Sequence, residues 1–580
     1  MSVKVPESSL QLSRKLLAAW LRIVKVTPSS MVYELGPVWV VSARVAVLSA
    51  ASVMAVMIWC SWCSLLFQRG WFVRDIVGYR GSDASRRIYR AMSRTATHTF
   101  KSGDIHAHDH SLVFNALRTD DQPALRAASE RGAVAPVYLY DPEYTGPSAM
   151  GGATKWWAHH SLRALSVRLS QMGSPLIVRK GDPATELRKV AHALGADRVM
   201  FCEAIEPDLQ QRDEEIEHEL GKHGIEVERF KMDLLWPIGS VMTKDGNPYQ
   251  VFTPFWKMAL STGMPDEPVD APKKLTPPEG HTASVSIDEL GLLPDIEWYT
   301  QMEERWTPGE HAARGRFASF MEHRLSDYAE DRNRLDIPGW SAMSPHIHFG
   351  EISVRRMWHT ISEDSRWQQV KGKEHYLREI GWREFAQHLI NHFPRTIDEP
   401  LREQFKGFPW SKSKKAFDKW KRGQTGYPVV DAAMRNLWAE GWMPNRARMI
   451  VASFLCKDLR ISWEEGMAWF WDTLVDADLG SNTLGWQWTA GCGADAAPYF
   501  RVFNPVSQGE KFDPDGDYVR RWCPELAKLD TKVIHQPWEA APMELSAAGI
   551  TLGEEYPEPM VDHKEAREAA LAAYENVKGK

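Results

Sequence analysis

Cysteine is scarce in this chain, with six among 580 residues: Cys60, Cys63, Cys202, Cys456, Cys492 and Cys523. So few thiols at such spacing make no disulfide framework, which suits a reducing compartment and leaves stability to packing. Cys60 and Cys63 form a C-x-x-C inside an apolar run, but no second pair accompanies them, and no metal site is read. An excess of positive charge is also missing. The net charge is −6, which excludes nucleic-acid binding through overall basicity. Neither G-x-S-x-G, H-E-x-x-H, a P-loop nor G-x-G-x-x-G occurs, so the local signatures of nucleophile-elbow hydrolases, zinc metalloproteases, P-loop NTPases and dinucleotide-binding turns are all absent. There is no internal repeat and no low-complexity tract. Long apolar runs are limited to one, Val45 to Phe67, which carries no charged residue and is long enough to span a bilayer. Arg69, Arg74, Arg80, Arg86, Arg87, Arg90 and Arg94 follow it and would keep the rest of the chain cytoplasmic. Two readings of residues 1–110 stand side by side: an extension anchored in a membrane through 45–67, or a dispensable leader on a cytoplasmic protein.

What is present fits a large globular protein. Hydrophobic residues make up 43% and charged residues 25%, and the length allows two large domains. Charge is unevenly placed, with 13 Lys and Arg against 7 Asp and Glu between Lys371 and Arg422. The 26 Trp serve mostly as core, although indoles also suit stacking on bases and electron relay. Between about Ser111 and Trp236, Val134–Tyr140, Leu176–Val178, Val199–Phe201 and Ile225–Val227 read as strands. Lys155–Gln171, Ala184–Leu194 and Asp213–His223 read as helices between them. That alternation predicts an α/β domain over 111–236, a parallel sheet with helices on both faces. Residues 237–306, rich in Pro, Gly and Asp, read as a connector. Helical periodicity then dominates an all-α domain over 307–580, where Ser462 and Glu465 have the spacing of a capping box. Trp463, Met467, Phe470, Trp471 and Leu474 share one face of the helix that follows.

The distinctive stretches lie between Gly426 and Asp517. They are Gly426-Tyr427-Pro428-Val429-Val430-Asp431, Gly441-Trp442-Met443-Pro444-Asn445-Arg446-Ala447-Arg448-Met449, Asp476-Ala477-Asp478-Leu479-Gly480-Ser481-Asn482, Gly485-Trp486-Gln487-Trp488, Asp495 to Arg501, and Gln508 to Asp513. These resemble the photolyase/cryptochrome family, and within it class I cyclobutane pyrimidine dimer photolyases. The resemblance runs from about Ser111 to the C-terminus and is most specific from Tyr376 to Asp517. It implies an α/β domain followed by a helical FAD-binding domain, and light-driven repair of UV-damaged DNA by electron transfer from reduced FAD. A cryptochrome-type blue-light photoreceptor is the alternative.

Residue by residue, the resemblance assigns Tyr328 and the turn Trp340-Ser341-Ala342-Met343-Ser344 to FAD. A turn opening a helix can hold a pyrophosphate on backbone N–H groups. The family usually has Thr where Trp340 stands, so one hydroxyl contact is lost. Arg383, Asn445, Arg448, Asp476, Ala477, Asp478 and Asn482 are assigned around the flavin. Arg448 is expected to pair with Asp476, since such a pair stabilises an anionic reduced ring while staying nearly neutral itself. Asn482 would face the flavin N5, a position where cryptochromes often carry an acid or Cys. Trp486, Trp463 and Trp410 match an electron relay from flavin to surface. Glu379, Trp382, Asn445, Met449 and Trp488 match a dimer pocket, with Arg332, Arg383, Arg446, Arg501 and Gln508 placed to reach DNA. Glu379 and Arg383, one helical turn apart, could instead pair with each other. An antenna chromophore of folate type is doubtful: Leu112 to Asp121 departs from the family's first strand, and Cys202 to Glu206 replaces its later Asn-Arg stretch. No obligate protein partner is implied, and a monomer is expected. Because family-like sequence begins only near Ser111, removal of residues 1–100 is expected to leave flavin content and light-dependent activity unchanged. Absorbance and activity of the truncated protein check this, and an insoluble or flavin-free product would show that the extension belongs to the fold.

Overall fold

Alternating side chains along two strands decide the first layer of the structure. Ala135, Val137, Leu139, Val199 and Phe201 gather in one apolar cluster, while Val134, Tyr138, Met200 and Cys202 gather in another. A period of two with both sets apolar is what a sheet covered on both faces requires. The computed structural model describes residues 110–578 except 115–116, 232–233, 368 and 497–499. The described residues fall in one compact unit, 105–580. The apolar run 45–67 and the Cys60/Cys63 pair lie outside the described residues. Among the described residues, no helix is long and apolar enough to cross a membrane.

The sheet has five parallel strands in the order β3-β2-β1-β4-β5. They are β1 (His110–Phe114), β2 (Ala133–Tyr140), β3 (Ile177–Lys180), β4 (Arg198–Cys202) and β5 (Glu226–Phe230). β1 is central: Ser111 stands opposite Val134 on one side and Arg198 on the other. Helices α1 (Pro123–Arg131) and α2 (Gly152–Met172) cover one face; α3 (Pro183–Leu194) and α4 (Pro207–Gly221) cover the other. The expected α/β fold is therefore present, and the ranges read from periodicity agree with the observed elements to within three residues at each end, except that α4 starts at Pro207 rather than Asp213. β1 and α1 are the elements of this layer that periodicity does not reveal. α1 is short, buries only Ala124, Leu125 and Ala128, and is started by the Gln122 side chain accepting from the Ala124 and Leu125 N–H groups.

The segment expected to be only a connector contains a helix, α5 (Phe252–Ser261), whose Phe252 and Phe255 are buried. The helical part that follows supplies α6 (Glu310–His323), α7 (Tyr328–Asp331), α8 (Ser344–His348), α9 (Val354–Glu363) and α10 (Lys371–His392). Further on come α11 (Asn445–Ser453), α12 (Trp463–Thr473), α13 (Leu479–Ala490) and α14 (His563–Lys578). The capping box at Ser462 does not form. Ser462 makes no cap hydrogen bond, because its hydroxyl donates to Glu464, the nearer carboxylate. A real cap opens α9, where Ser353 Oγ accepts from the Arg355 and Arg356 N–H groups.

Two buried acids bind the α/β layer to the helical part. Glu351 accepts from Trp157 Nε1 of α2 at 2.9 Å and from the Gly309 N–H at 2.7 Å, and its other oxygen meets His346 of α8. Asp121 pairs with Arg355 at 2.7 Å and accepts from the Ser353 hydroxyl. Arg118, in the stretch read for an antenna site, donates to the carbonyls of Asp120, Asp121 and Gly350 at 3.0, 3.0 and 2.8 Å.

α10 starts against bare backbone. A Cβ at Gly372 would stand 1.6 Å from the Leu325 carbonyl oxygen, with no flexible group to yield. Gly372→Ala is expected to cost about 3 kcal/mol, at the upper end for overpacking. Gly315→Ala, on α6 with nothing within 4 Å of the new methyl, is expected to stabilise by about 1 kcal/mol. Calorimetric melting of both variants checks the pair.

Candidate active site

Three helices present matching faces to one cavity. On α10, Tyr376, Glu379, Trp382 and Arg383 recur at helical spacing. On α11, Asn445, Arg448 and Met449 do the same, and on α13 so do Ser481, Gly485 and Trp488. With Tyr328 and Arg332 from α7, the 340–344 turn, and Asp476 and Asp478 ahead of α13, they enclose about 700 Å³. That volume suits a sizeable organic ligand. A second cavity of about 160 Å³ shares Asn445, Arg448, Asp476 and Asp478 with it and is lined besides by Ala477, Asn482 and Trp486. The residues expected to touch the flavin and those expected to meet the dimer thus line one continuous region. Arg501 and Gln508 do not line either cavity.

The turn 340–344 is held in an uncommon shape. Ala342 has φ +52°, followed by Met343 at φ −89° and ψ −10°. A left-handed residue followed by a right-handed one turns successive N–H groups into one concavity, which attracts an anion. Ser341 Oγ accepts from the Met343 N–H at 3.4 Å and the Tyr376 hydroxyl at 3.2 Å, while Ser344 Oγ accepts from Trp442 Nε1 at 3.1 Å. Trp340 lines the cavity with a buried Nε1 that has no acceptor among the described residues. Trp486 Nε1 in the smaller cavity is in the same position. A buried indole N–H is expected to find a partner, so both orphans fit a ligand rich in acceptors.

The charge pattern divides the cavity. Arg448 Nη2 reaches both oxygens of Asp476 at 3.0 and 2.8 Å, as expected, and its Nε donates to the Met443 carbonyl at 2.8 Å. Asp478 caps α13 by accepting from the Ser481 N–H at 2.7 Å, and its other oxygen accepts from Gln387 Nε2 at 2.8 Å. Asn482 donates its amide to the Met467 carbonyl at 3.1 Å, which leaves Oδ1 to receive a donor. Across the cavity, Glu379 does not pair with Arg383. Its Oε1 lies 2.5 Å from Arg332 Nη1, while Arg383 reaches Glu384 at 3.2 Å. The reason is reach: Arg332, at the end of α7, can meet Glu379 directly, whereas Arg383 has the buried Glu384 beside it. Burial raises the Glu379 carboxyl above its ordinary range, against the opposing pull of Arg332. Burial likewise pushes Glu384 up to about 7.

Arg446 lies 4.4 Å over the Phe512 ring and bonds Asn333 Oδ1 at 2.8 Å. Burial lowers its pKa, and the like charges of Arg332 and Arg501 lower it further, so three of the arginines expected at DNA are near neighbours. Trp382 stacks on Phe252 of α5 with ring centres 3.7 Å apart and planes 9° apart. Trp488 Nε1 donates to the Asp495 carbonyl at 3.2 Å. Phe252 escapes sequence reasoning because it belongs to the presumed connector. Its signal is the apolar group Phe252, Phe255 and Trp256.

The relay residues are differently placed. Trp486 and Trp463 are buried, and Trp410 is partly exposed. Among the described residues, the rings that meet Trp486 are Phe470 at 4.9 Å and Trp420 at 6.2 Å, while Trp410 packs on Phe408 at 4.3 Å. Trp420 is a neighbour that motif spacing does not indicate. Beyond α11 the helix widens into a π turn, Phe454–Asp458. There the buried Lys457 donates to the Arg501 carbonyl, and Asp458 reaches His563 of α14 at 2.5 Å.

Two family models match the chain: "DNA photolyase" over residues 112–274 and "FAD binding domain of DNA photolyase" over 376–576. A deoxyribodipyrimidine photo-lyase of Agrobacterium fabrum is 46% identical over 464 residues, 80% of this chain and 96% of that protein. Cryptochrome-2 of Arabidopsis thaliana is 37% identical over 79% of this chain and 77% of its own length. The crystal structure of a bacterial class III photolyase from Agrobacterium tumefaciens superposes with a TM-score of 0.79 at 43% identity, covering 83% of this chain and all of that one. Asp476→Ala leaves Arg448 without its carboxylate in the cavity wall and is expected to weaken FAD binding by about 2 kcal/mol, roughly thirtyfold. Flavin fluorescence released on dilution measures the change.

Proposed function

The chain belongs to the DNA photolyase/cryptochrome family, and we propose on that footing that it is a photolyase which splits cyclobutane pyrimidine dimers in DNA under light. One observation carries the reading: the polar set around Arg448 and Asp476 and the dimer-facing set of Glu379, Trp382 and Trp488 line the same cavity. The cavity residues fit FAD, with an N–H concavity at Ala342, two buried indole donors without acceptors, and a cation already balanced by Asp476. FAD, when bound, supplies the light-excited electron. Arg448 and Asp476 favour extra negative charge beside them without adding much net charge. Asn482 offers an amide that can accept or donate. Trp382 and Trp488 form apolar walls for an extruded pair of bases, and Glu379 can hydrogen-bond a base carbonyl as charge develops on it. Arg332, Arg446 and Arg501 form the positive rim for phosphates. The net reaction breaks the two carbon–carbon bonds that join the pyrimidines and adds no atom.

The motifs taken alone point to class I as the finer subclass. The 43%-identical crystal structure is that of a class III photolyase, and this supports placing the chain in that neighbourhood instead. The likeness to plant cryptochromes supports a second reading, light sensing without repair. Action as a monomer on the cytoplasmic side is part of the proposal. Reduced protein mixed with dimer-containing oligonucleotide is expected to remove dimers in light and not in the dark. Glu379→Ala is expected to lower the yield per absorbed photon by about fivefold, roughly 1 kcal/mol, with a smaller loss of DNA affinity. Dimers that persist in light, in protein whose flavin still photoreduces, would overturn repair in favour of sensing.

A further inference from the structure

We propose that Glu267, His359 and Glu363 form a binding site for a divalent first-row transition-metal ion, with Zn²⁺ as the best fit, and that the ion clamps the segment after α5 onto α9. The three residues offer one nitrogen and two carboxylate oxygens, all within 4.8 Å of one another. His359 and Glu363 stand one turn apart on α9, and Glu267 arrives from the connecting segment. The carboxylates alone would be ordinary surface groups, with Glu267 80% and Glu363 63% exposed. The histidine is not: His359 is 4% exposed, and its orientation is fixed by the backbone.

Nε2 of His359 lies 3.0 Å from the Pro265 carbonyl and 3.2 Å from that of Asp266, so it must be the protonated nitrogen. In the neutral ring Nδ1 then carries a lone pair. It points at Glu363 Oε1, 3.0 Å away, and at Glu267 Oε2, 3.5 Å away. Neither carboxylate has a proton to give, so Nδ1 meets them either with a proton of its own, which the two glutamates favour against the opposing effect of burial, or with a cation held in common. The three donor atoms converge closely enough for a metal ion to take that proton's place. A histidine whose second nitrogen donates to a backbone carbonyl is the usual outer arrangement of a metal ligand. The neighbouring cations on α9 are already committed, Arg355 to Asp121 and Arg356 to Asp120 and Asp270. Among the described residues, neither glutamate pairs with a Lys or Arg. One nitrogen with two carboxylates and an open side toward water matches Zn²⁺ with a water as fourth ligand, and disfavours Mg²⁺ and Ca²⁺, which prefer oxygen alone.

No motif announces this set, and the amino-acid sequence alone indicates no metal site. The clamp would add to ties already holding the same segment: the Val269 N–H to Asp121 Oδ1 at 3.0 Å, and Arg356 to Asp270 at 3.0 Å. The test uses the full-length, FAD-loaded protein after chelator treatment, titrated with ZnCl₂ against a chromophoric zinc chelator. One saturable equivalent is expected, undisturbed by excess Mg²⁺. It should be weakened at least about tenfold by Glu363→Gln or Glu267→Gln, and abolished when His359→Gln is added to both. Gln at 359 can keep a donor for the Pro265 carbonyl, and an unchanged flavin spectrum certifies the fold of each variant. Absence of saturable uptake would mean that His359 is an imidazolium paired with the glutamates, and would overturn the proposal. So would an equivalent that survives all three substitutions, since the ion would then sit elsewhere.

Discussion

A single fully buried carboxylate, Glu351, holds three parts of the chain together. It accepts from the indole of Trp157 in the α/β layer and from the backbone at Gly309, and it meets His346 in α8. Leaving any of these groups unpaired in a closed interior would cost on the order of 1–3 kcal/mol. The 340–344 turn directly precedes α8, so the position of its N–H concavity depends on this knot. Asp121, with Arg355 and Ser353, makes a second tie one helix further on. The cavity is therefore built on a frame to which the sheet contributes, although no strand lines it.

Within that frame, polarity is graded rather than uniform. Arg448 and Asp476 neutralise each other at the inner wall. Toward the rim, Arg332 shares its charge with Glu379, while Arg446 lies over Phe512 beside other arginines. A chain of net charge −6 can thus attract a polyanion at one place, because the local arrangement of charges rather than their sum sets the field there.

The fold was largely legible because its signals are local and repeated. β2 and β4 alternate apolar faces, and α3 starts at Asp182-Pro183 and ends at Gly195. β1, α1 and α5 were not read: α1 buries too few residues to impose a period, and the helical spacing of Phe252, Phe255 and Ala259 in α5 lay inside a stretch whose Pro, Gly and Asp content reads as connector. Residues one turn apart on α10, α11 and α13 could be assigned to a common wall by motif. Their partners across the cavity could not. Phe252 against Trp382 and Arg332 against Glu379 join separate segments, and only the folded chain decides which of two competing groups is nearer. Glu379 had a plausible partner at i+4 in Arg383, and the helix spacing gave no hint that a carboxylate next in sequence, Glu384, would take that arginine.

The π turn Phe454–Asp458 makes one helical rod serve two neighbours that are out of step. Ahead of it, Asn445, Arg448 and Met449 look into the cavity; within it, Lys457 meets the Arg501 backbone and Asp458 meets α14. An ordinary α-helix advances about 100° per residue, so the surplus residue rotates everything downstream by that amount relative to the cavity wall. Deleting one residue anywhere along this rod would leave its composition almost untouched and yet turn Lys457 and Asp458 away from their partners. In this part of the molecule the count of residues, as much as their identity, fixes which neighbour each side chain meets.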